Sequence, residues 1–554
     1  MNSIRAINLY CPTRFFMDVT KLAKVSHLLL LFDNKLYEKS FRERNNKQFD
    51  IIGQITIFVS EKNVNIYFTT IASILYQLSS SAATTSGNIY SERPNLLVVM
   101  ADQFRGDAFG FRGKEVVKTP NFDSFSKEAV VFTQAVSGYP VSSPARGMFL
   151  SGAYPHKNGV ITNCQSESAT QNVELREDLT CWSDVLQSEG YHTAYIGKWH
   201  LDKPVKPFID CYNNKGEMAW NEWCPPHRRH SFDYWVAYGT YDWHLKPMYW
   251  NTQAGREDFY YVNQWGPEYE ADLAIHYLDS IKGSDQPFAM MVSMNPPHTG
   301  YELVPDNYKE LYKGLNVDSV VAAMPHLRNA DQKYVDYFKK SLPDYYACIS
   351  GVDEQFGRII EALKRNGMFD NTIVVFVSDH GDSMGMHENI GKNIFYEEAM
   401  RVPFMISWGS KLSPRVDEDL LLSVEDFCPT ILSLMGLENK IPSSVQTRNL
   451  SKQIQGSRKN MPKYQLYMRY NQVNSTGKNP DTGARGIRNK QYTYAAKFKK
   501  GIITEEYLFD RKNDPYQMNN LADKEVKLVG KLKKILTKML VDVEDPAYTV
   551  FSRP

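Results

Sequence analysis

Polar side chains follow directly after two apolar segments that lie far apart in the chain. The segments are residues 95–100 and 372–377, and the polar residues that follow them are Asp102, Gln103, Asp379 and His380. Continuous apolar runs of this length are typical of strands buried on both faces of a parallel sheet, and ligands of open α/β sheets bind at the carboxyl ends of the strands. We therefore expect the four side chains to meet at one sheet edge. Their carboxylate and amide oxygens suit a hard divalent cation such as calcium.

A further group of reactive side chains lies in residues 142–152, which read SSPARGMFLSG. A serine followed shortly by proline is a common helix start, so we expect a helix that begins near Pro144. Such a helix would direct its N-terminus at Ser142, where unpaired backbone N–H groups favour a bound anion. From the residues alone, Ser142 could simply cap this helix, and capping is compatible with a position beside a bound anion.

This segment resembles the signature of the type I sulfatases, which are part of the alkaline-phosphatase-like superfamily. The signature has Cys or Ser, then Pro two positions later and Arg four positions later, as do Ser142, Pro144 and Arg146. A pattern this short often occurs by chance in unrelated sequences. Here, however, the match continues through residues 154–159, and other segments typical of the family follow in the expected order. They are residues 197–201 (GKWHL), 295–298 (NPPH), 379–382 (DHGD), 391–403 (GKNIFYEEAMRVP) and the closing segment 506–521.

The resemblance implies a modified residue beside a metal ion. Ser142 would be oxidised to formylglycine and would itself contact a divalent cation held by Asp102, Gln103, Asp379 and His380. Gln103 replaces the family's commoner Asp and His380 its commoner Asn, so magnesium and manganese stay open beside calcium. Taken singly, an Asp-His pair after a strand is also compatible with an ordinary turn.

The resemblance also implies roles for five cationic or titratable side chains. Arg146 would steady the modified residue and the metal ligands. Lys198 and Lys392 would bind sulfate oxygens, His298 would protonate the leaving oxygen, and His200 would assist the release of sulfate. Without the resemblance, the two lysines would be interpreted as solvated charges and the histidines as packed or turn residues.

A serine at position 142, where other family members have cysteine, has consequences of its own. In the family, a radical iron–sulfur maturase of bacteria, which works without oxygen, converts this serine. The hydrated aldehyde has two hydroxyls, one that attacks sulfur and one that later expels sulfate, and an unmodified serine cannot perform the second step. The resemblance thus implies a bacterial sulfuric ester hydrolase with the maturase as a partner.

The fold class follows from the pattern after Arg93, where buried strands alternate with amphipathic helices. We predict an α/β fold in which a large mixed sheet is sandwiched by helices, with a smaller C-terminal α+β domain. The predicted domains are an N-terminal extension (1–91), a catalytic domain (92–455) and a C-terminal subdomain (456–554). Within them we predict a helix that carries Ile349 to Leu363 and ends at Asn366 and Gly367, strands at 487–497 and 506–510, and a helix at about 524–540.

The N-terminal extension contains a pattern typical of a secretory signal peptide. Lys62 precedes an apolar run, residues 64–78, and a stretch of small residues, 79–83. We expect a mature chain that begins near Thr84, with residues 1–60 arising from a start site assigned too early, and a periplasmic or secreted protein. The run is short for a membrane span, so no stable span is expected in the mature protein.

The composition limits which partners and which kinds of metal site are expected. Lys and Arg (64) nearly balance Asp and Glu (63), which argues against nucleic acid as a partner. The seven cysteines show no C-x-x-C spacing, so no metal site is assigned to them, and one or two disulfides stay open.

Residues 202–270 are aromatic and lack clear periodicity, as expected for an inserted loop region near a site. We expect its rings to stack on a sugar and its basic cluster to bind further sulfates or uronates, which favours a sulfated glycan (glycosaminoglycan, mucin or algal saccharide) as the substrate. The aromatic residues are Trp235, Tyr238, Tyr241, Trp243, Trp250, Tyr260 and Tyr261, and the basic ones are His227, Arg228, Arg229 and His230. Three alternatives stay open: core packing of these rings, a phosphate or phosphonate monoester hydrolase of the same superfamily, and an unmodified, non-catalytic glycan-binding homologue.

Overall fold

The computed structural model describes residues 93–470 and 482–553, together with two short N-terminal strands, Ala6–Asn8 and Thr56–Phe58, which pair antiparallel. The chain divides into two compact units, Met1–Ile89 and Tyr90–Pro554. The predicted signal peptide lies outside the described residues. The predicted boundaries at 91 and 455 stay predictions.

A ten-stranded mixed sheet forms the centre of the second unit. Its spatial order is β6-β5-β4-β3-β7-β1-β8-β9-β2-β10, and the five central strands from β4 to β8 are parallel. The strands are β1 (Asn95–Ala101), β2 (Val130–Phe132), β3 (His192–Lys198), β4 (Tyr234–Tyr238), β5 (Met248–Asn251), β6 (Tyr260–Tyr261), β7 (Phe288–Met294), β8 (Thr372–Ser378), β9 (Phe404–Ser407) and β10 (Arg415–Asp417).

Helices cover both faces of this sheet, as predicted. The α-helices are α1 (Pro120–Phe125), α2 (Ser142–Ser151), α3 (Pro155–Asn158), α4 (Ser166–Ala169), α5 (Trp182–Ser188), α6 (Gly266–Ser280), α7 (Asp306–Glu310), α8 (Val317–Ala323), α9 (Pro325–Arg328), α10 (Gln332–Arg365), α11 (Glu397–Met400), α12 (Phe427–Leu434), α13 (Ser451–Ile454), α14 (Val526–Asp542) and α15 (Tyr548–Phe551). Strand β1 is apolar from Leu96 onward because both of its faces are buried. Leu97 and Val99 pack into the core under α6 and α10, whereas Leu96 and Val98 pack into the core under α2, α5 and α12.

The helix predicted at residues 349–363 is confirmed, but it begins 17 residues earlier, and its buried stripe continues through Val335, Phe338 and Leu342. Helix α10 begins at Gln332 and ends at Arg365, with the predicted Asn366 as its C-cap, followed by Gly367 with a φ of 71°. The prediction omits its first half, which contains Pro343, a residue that usually interrupts helices.

A second, antiparallel sheet lies in the C-terminal part. Its strands, in order, are β11 (Gln465–Tyr470), β12 (Gly483–Arg488), β13 (Tyr492–Lys499) and β14 (Ile502–Asp510). The single strand predicted at 487–497 is wrong, because the chain turns at residues 489–491 and the two halves belong to neighbouring strands. The strand predicted at 506–510 lies within β14, and the terminal helix forms as α14.

The prediction of an irregular insertion at residues 202–270 is partly wrong. Strands β4, β5 and β6 extend the main sheet, with β4 parallel to β3 and the other two added antiparallel. Their periodicity is hidden because β4 is largely buried, so polar and apolar residues do not alternate along it.

In the described part of the chain, no helix combines the length and the apolar character that a membrane crossing requires. The six cysteines of residues 93–470 are buried free thiols, so none of the disulfides left open by the sequence forms among them.

Two helical glycines make a matched test of this packing. In α10, an added Cβ at Gly351 would lie 2.5 Å from Cη2 of Trp265, whereas in α14 an added Cβ at Gly530 meets nothing within 4 Å. We expect Gly351→Ala to destabilise the protein by about 1–3 kcal/mol through overpacking. Gly530→Ala should stabilise it by about 0.4–1 kcal/mol because alanine restricts the unfolded chain.

Urea unfolding followed by circular dichroism measures both changes. Equal effects of the two substitutions would contradict the tight contact between α10 and Trp265.

Candidate active site

Four parallel strands deliver polar residues to one edge of the main sheet. Lys198 ends β3, Asn295 follows β7, Asp102 follows β1 and Asp379 follows β8. The register places Ala101 opposite both Met294 and Ser378, so the residues after these strands lie side by side. The predicted convergence of the two acidic strand ends is therefore observed.

The side chain of Arg146 bridges the two aspartates. Its Nη2 lies 3.0 Å from Oδ2 of Asp102, and its Nε lies 3.0 Å from Oδ2 of Asp379. Its Nη1 donates to Oγ of Ser293 (2.6 Å) and to the carbonyl of Lys198 (2.9 Å). Because Arg146 lies on α2, this fork fixes the start of that helix against the strand ends.

The two aspartates titrate differently. Burial and the neighbouring charge of Asp102 raise the pKa of Asp379 to about 7. Burial acts in the same direction on Asp102, but the charges of Lys198, His298 and Lys392 outweigh it and hold the pKa of Asp102 well below its usual value.

The donor set fits a divalent cation. Nε2 of His380 lies 3.5 Å from Oδ1 of Asp102 and 3.7 Å from Oδ1 of Asp379, and ligand atoms of all three lie within 4.8 Å of one another. Oδ1 of Asp102 is buried and has no hydrogen-bond partner among the described residues. A buried carboxylate oxygen is costly without a partner, and a cation between these three groups would provide one.

Ser142 lies against this cluster. Its Oγ is 3.0 Å from Nε2 of His380, and the residue is 1% exposed. It is the first residue of α2, not its cap: Val141 holds the cap position, and no side chain caps the helix. The role of Ser142 as a helix cap, which the sequence left open, is therefore not observed.

Gln103 and Lys392 form a pair at the rim of the cluster. Oε1 of Gln103 accepts from Nζ of Lys392 at 2.6 Å, and Nε2 of Gln103 donates to Asp382 at 2.8 Å. Burial lowers the pKa of Lys392. Gln103 has a φ of 65°, a strained conformation that is often found at functional positions.

Lys198 and His298 are held by neighbouring polar groups. Nζ of Lys198 lies 2.7 Å from Oδ2 of Asp102 and donates to Oδ1 of Asn295 at 2.9 Å. Nδ1 of His298 lies 3.2 Å from Oδ1 of Asp242. Burial and the charges of both active-site lysines lower the pKa of His298, although Asp242 opposes them.

His200 stands slightly apart. Its Nε2 lies 3.2 Å from the carbonyl of Cys164, and its buried Nδ1 has no partner in the described residues. Burial and the charges of Lys198 and Arg146 hold its pKa well below the usual value, so the ring is neutral at pH 7.

These side chains surround one cleft with a volume of about 730 Å³. Ser142, His200, His298, Lys392 and Gln103 all line it. Asp102, Asp379, His380, Arg146 and Lys198 do not line it, but His380 contacts Ser142 and Asp379 accepts from the backbone N–H of Gln103. The further lining residues are Val141, Asn163, Asn213, Trp220, Thr240, Asp242, Thr299, Asn389, Ile390, Gly391, Asn393 and Arg469.

Comparison with known proteins assigns the family. The family model "Sulfatase" matches residues 94–437, and the model "N-sulphoglucosamine sulphohydrolase, C-terminal" matches residues 385–544. This chain belongs to the sulfatase family. It is therefore a sulfuric ester hydrolase with the alkaline-phosphatase-like fold that the sequence predicted.

Several relatives cover nearly the whole of their own length. The endo-4-O-sulfatase of Bacteroides thetaiotaomicron is 37% identical over 83% of this sulfatase and 94% of its own chain. The ulvan-active sulfatase of Formosa agariphila is 33% identical over 82% of each chain. The crystal structure of a Bacteroides fragilis protein assigned as the sulfatase yidJ is 53% identical, with a TM-score of 0.80 over 83% of this sulfatase and 98% of that chain.

Most aromatic residues predicted to stack on a sugar are part of the core. Trp235, Tyr238, Tyr241 and Trp250 are at most 5% exposed, and none of the seven predicted rings lines the cleft. Core packing, the alternative that the sequence left open, holds for these four. Their strands carry them into the sheet, a position that the sequence did not reveal.

The basic cluster predicted to bind anions is also engaged elsewhere. Arg228 is paired with Asp202 at 2.6 Å, Arg229 donates to the carbonyls of Cys224 and Thr252, and His230 contacts Asp184. Only His227 is exposed, and it lies near Glu177. These side chains do not line the cleft of the sulfatase.

The sequence missed residues that do line the cleft. Trp220 and Arg469 carry the groups best suited to a sugar ring and to an anionic substituent, and Nε of Arg469 has no hydrogen-bond partner in the described part of the chain. Trp220 lies in the aromatic region identified from the sequence. No motif marked Arg469 or Asp242, because the C-terminal sheet and the turn after β4 bring them to the cleft.

Replacing Arg146 tests the buried bridge in this sulfatase. Arg146→Met would leave two buried carboxylates without their guanidinium, so we expect a loss of about 3–5 kcal/mol in the free energy of unfolding. Arg365→Met removes an exposed arginine that pairs with Asp279, and it should change stability by less than about 0.5 kcal/mol.

Urea unfolding of the two variants beside the wild type makes the comparison. A loss below about 1 kcal/mol for Arg146→Met would show that the bridge contributes no more than an exposed ion pair.

Proposed function

We propose that this sulfatase removes sulfate from a sulfated glycan, using formylglycine formed from Ser142 and a divalent cation, calcium, at Asp102, Gln103, Asp379 and His380. The observation that carries the proposal is the position of Ser142. Ser142 lines the cleft, and its Oγ contacts His380, whose Nε2 lies near the unpartnered Oδ1 of Asp102.

The residues present divide the chemistry among them. When formed, the hydrated aldehyde at position 142 supplies a hydroxyl nucleophile for sulfur, and the bound cation supplies positive charge. Arg146 orients the two aspartates and the start of α2. Lys198 contacts Asp102 and Lys392 contacts the adjacent Gln103, where they can neutralise the charge that builds on the sulfate oxygens.

The proton for the leaving alcohol is assigned to His298. It lines the cleft, and Asp242 lies 3.2 Å from its Nδ1, so its Nε2 is left to face a substrate oxygen. Donation of a proton from Nε2 requires the protonated ring, which Asp242 favours against burial and the charges of the two lysines that lower its pKa. His200 borders the same cleft deeper in and is assigned to the release of sulfate.

Two observations support a glycan substrate: the activities of the relatives and the residues that line the cleft. One relative is an endo-4-O-sulfatase and another acts on ulvan. Trp220 offers a ring face for a sugar, and Arg469 offers a guanidinium for a carboxylate or a further sulfate.

Calcium is proposed because the predicted ligands are mainly oxygens. The imidazole of His380 is a less usual ligand for calcium than the carboxylate and amide oxygens of the other three residues. We further propose that a radical iron–sulfur maturase modifies Ser142 and that the protein is periplasmic or secreted, in line with the signal pattern at residues 62–83.

Loss of the serine side chain tests the nucleophile. We expect Ser142→Ala to lower the hydrolysis of a chromogenic sulfate ester by on the order of 10⁴-fold or more with little change in folding, because the modified residue reacts directly. Ser280→Ala changes an exposed serine of α6 and should retain activity.

Mass spectrometry of the peptide that contains position 142, from protein made in the native host, belongs to the same test. Loss of two hydrogens supports the proposal. An intact serine together with no hydrolysis by the wild type would favour the non-catalytic homologue, whereas full activity of Ser142→Ala would show that position 142 does not supply the nucleophile.

Metal dependence tests the ligands. We expect calcium to raise the melting temperature of the wild type, because a ligand at 100 times its Kd adds about 2.7 kcal/mol to the free energy of unfolding. Asp379→Ala should lose this response together with activity, whereas Asp178→Ala, at a fully exposed carboxylate, should keep both. A wild-type calcium response in Asp379→Ala would show that the cation lies elsewhere.

Kinetic measurements distinguish a sulfatase from a phosphate or phosphonate monoester hydrolase. Sulfate and phosphate esters of one chromogenic alcohol should be compared at equal concentrations. We expect a higher kcat/KM for the sulfate ester, and a preference for phosphate would favour a phosphate or phosphonate monoester hydrolase.

A further inference from the structure

A second cluster of ligand-type side chains lies outside the cleft that holds Ser142. It consists of His326 on α9, His387 in the short 3₁₀ turn Met386–Glu388, and Glu398 on α11. One ligand atom from each lies within 4.8 Å of the others. None of these three residues has a role in the proposed reaction.

The two histidines flank one carboxylate. Nε2 of His326 lies 3.2 Å from Oε1 of Glu398, and Nε2 of His387 lies 3.5 Å from Oε2 of the same group. Two ligands that each lie about 2.0–2.1 Å from a tetrahedral ion are about 3.3 Å apart. Both distances from the imidazoles to Glu398 are close to this value.

Polar atoms of this cluster are buried without partners. Nε2 of His387 and Oε2 of Glu398 face each other, yet neither has a hydrogen-bond partner among the described residues. The exposed fraction of the side chain is 2% for His326, 7% for His387 and 14% for Glu398. Buried polar atoms of this kind normally have a partner.

Aromatic rings fix both imidazoles in place. The ring of Tyr396 stacks on His387 with centroids 3.7 Å apart and planes 3° from parallel, and Tyr516 stacks on His326 at 4.8 Å. Two clefts, of about 300 and 550 Å³, border the cluster and both include His326. They give an ion and a water ligand a way in.

The backbone that carries His387 is strained. Met384, His387 and Glu388 all have positive φ values, between 43° and 57°. Such conformations cost about 1–3 kcal/mol each and persist only where the surroundings enforce them. A bond from His387 to an ion would contribute to that enforcement.

We propose that His326, His387 and Glu398 form a second metal site, which binds zinc or a similar transition metal. Two imidazoles and one carboxylate suit such ions, whereas calcium prefers an all-oxygen shell. The site is structural in role. His387 and Glu398 bracket the segment that carries Lys392, so an ion between them would tie both ends of that segment to α9 and hold the lysine over the cleft.

Cobalt is a suitable probe because it replaces zinc and absorbs visible light when bound by such ligands. Metal-free full-length protein would be titrated with cobalt in excess calcium, which occupies oxygen-rich sites. We expect His387→Phe, which keeps the stacking on Tyr396, and Glu398→Gln to bind one cobalt fewer per chain than the wild type. Affinity at this site should fall by about 100-fold or more, since even indirect partners of a metal contribute about 10–100-fold.

His276→Phe is the matched control, because His276 is an exposed histidine of α6. It should bind cobalt like the wild type. If His387→Phe does not fold, Glu398→Gln decides the result. Equal cobalt stoichiometry and spectra in wild type, His387→Phe and Glu398→Gln would overturn the proposal and leave the cluster as a pair of His–Glu contacts. Cobalt binding is measured independently of sulfatase activity, so failure of the proposed function would leave this test intact.

Discussion

The active site depends on one buried ion pair network, in which Arg146 joins two aspartates that lie 277 residues apart in the chain. Each carboxylate would be costly to bury alone, and two together would repel each other. The guanidinium offsets both costs with directed bonds to Asp102 and Asp379. Because Arg146 belongs to α2, the same bonds fix the helix whose first residue is Ser142.

The parallel register of the central sheet makes this network possible. Strands β3, β7, β1 and β8 end at the same level, so Lys198, Asn295, Asp102 and Asp379 converge without any long loop. The charge of Lys198 and the bridge of Arg146 then stabilise the acidic pair from two sides. What stays unsatisfied is Oδ1 of Asp102, the atom that faces His380 and the space beside Ser142.

The sequence predicted the central features because each has a local signal. The strands β1 and β8 appear as continuous apolar runs, and the family motifs place the polar residues after them. Strands β4 to β6 had no such signal: β4 is buried along most of its length, which removes the alternation that would mark it, and β6 has only two residues. Arg469 and the cluster of His326, His387 and Glu398 were invisible for another reason: only tertiary packing brings their separate segments together.

The most direct test of this account is to locate the cation. Crystals grown with manganese, whose anomalous scattering marks its position, should show a peak within about 2.0–2.6 Å of a carboxylate oxygen of Asp102 and of Asp379, next to His380 and the side chain at position 142. If crystals that contain manganese show no peak there, the central claim is contradicted. It is also contradicted if Oδ1 of Asp102 is bound only to protein atoms.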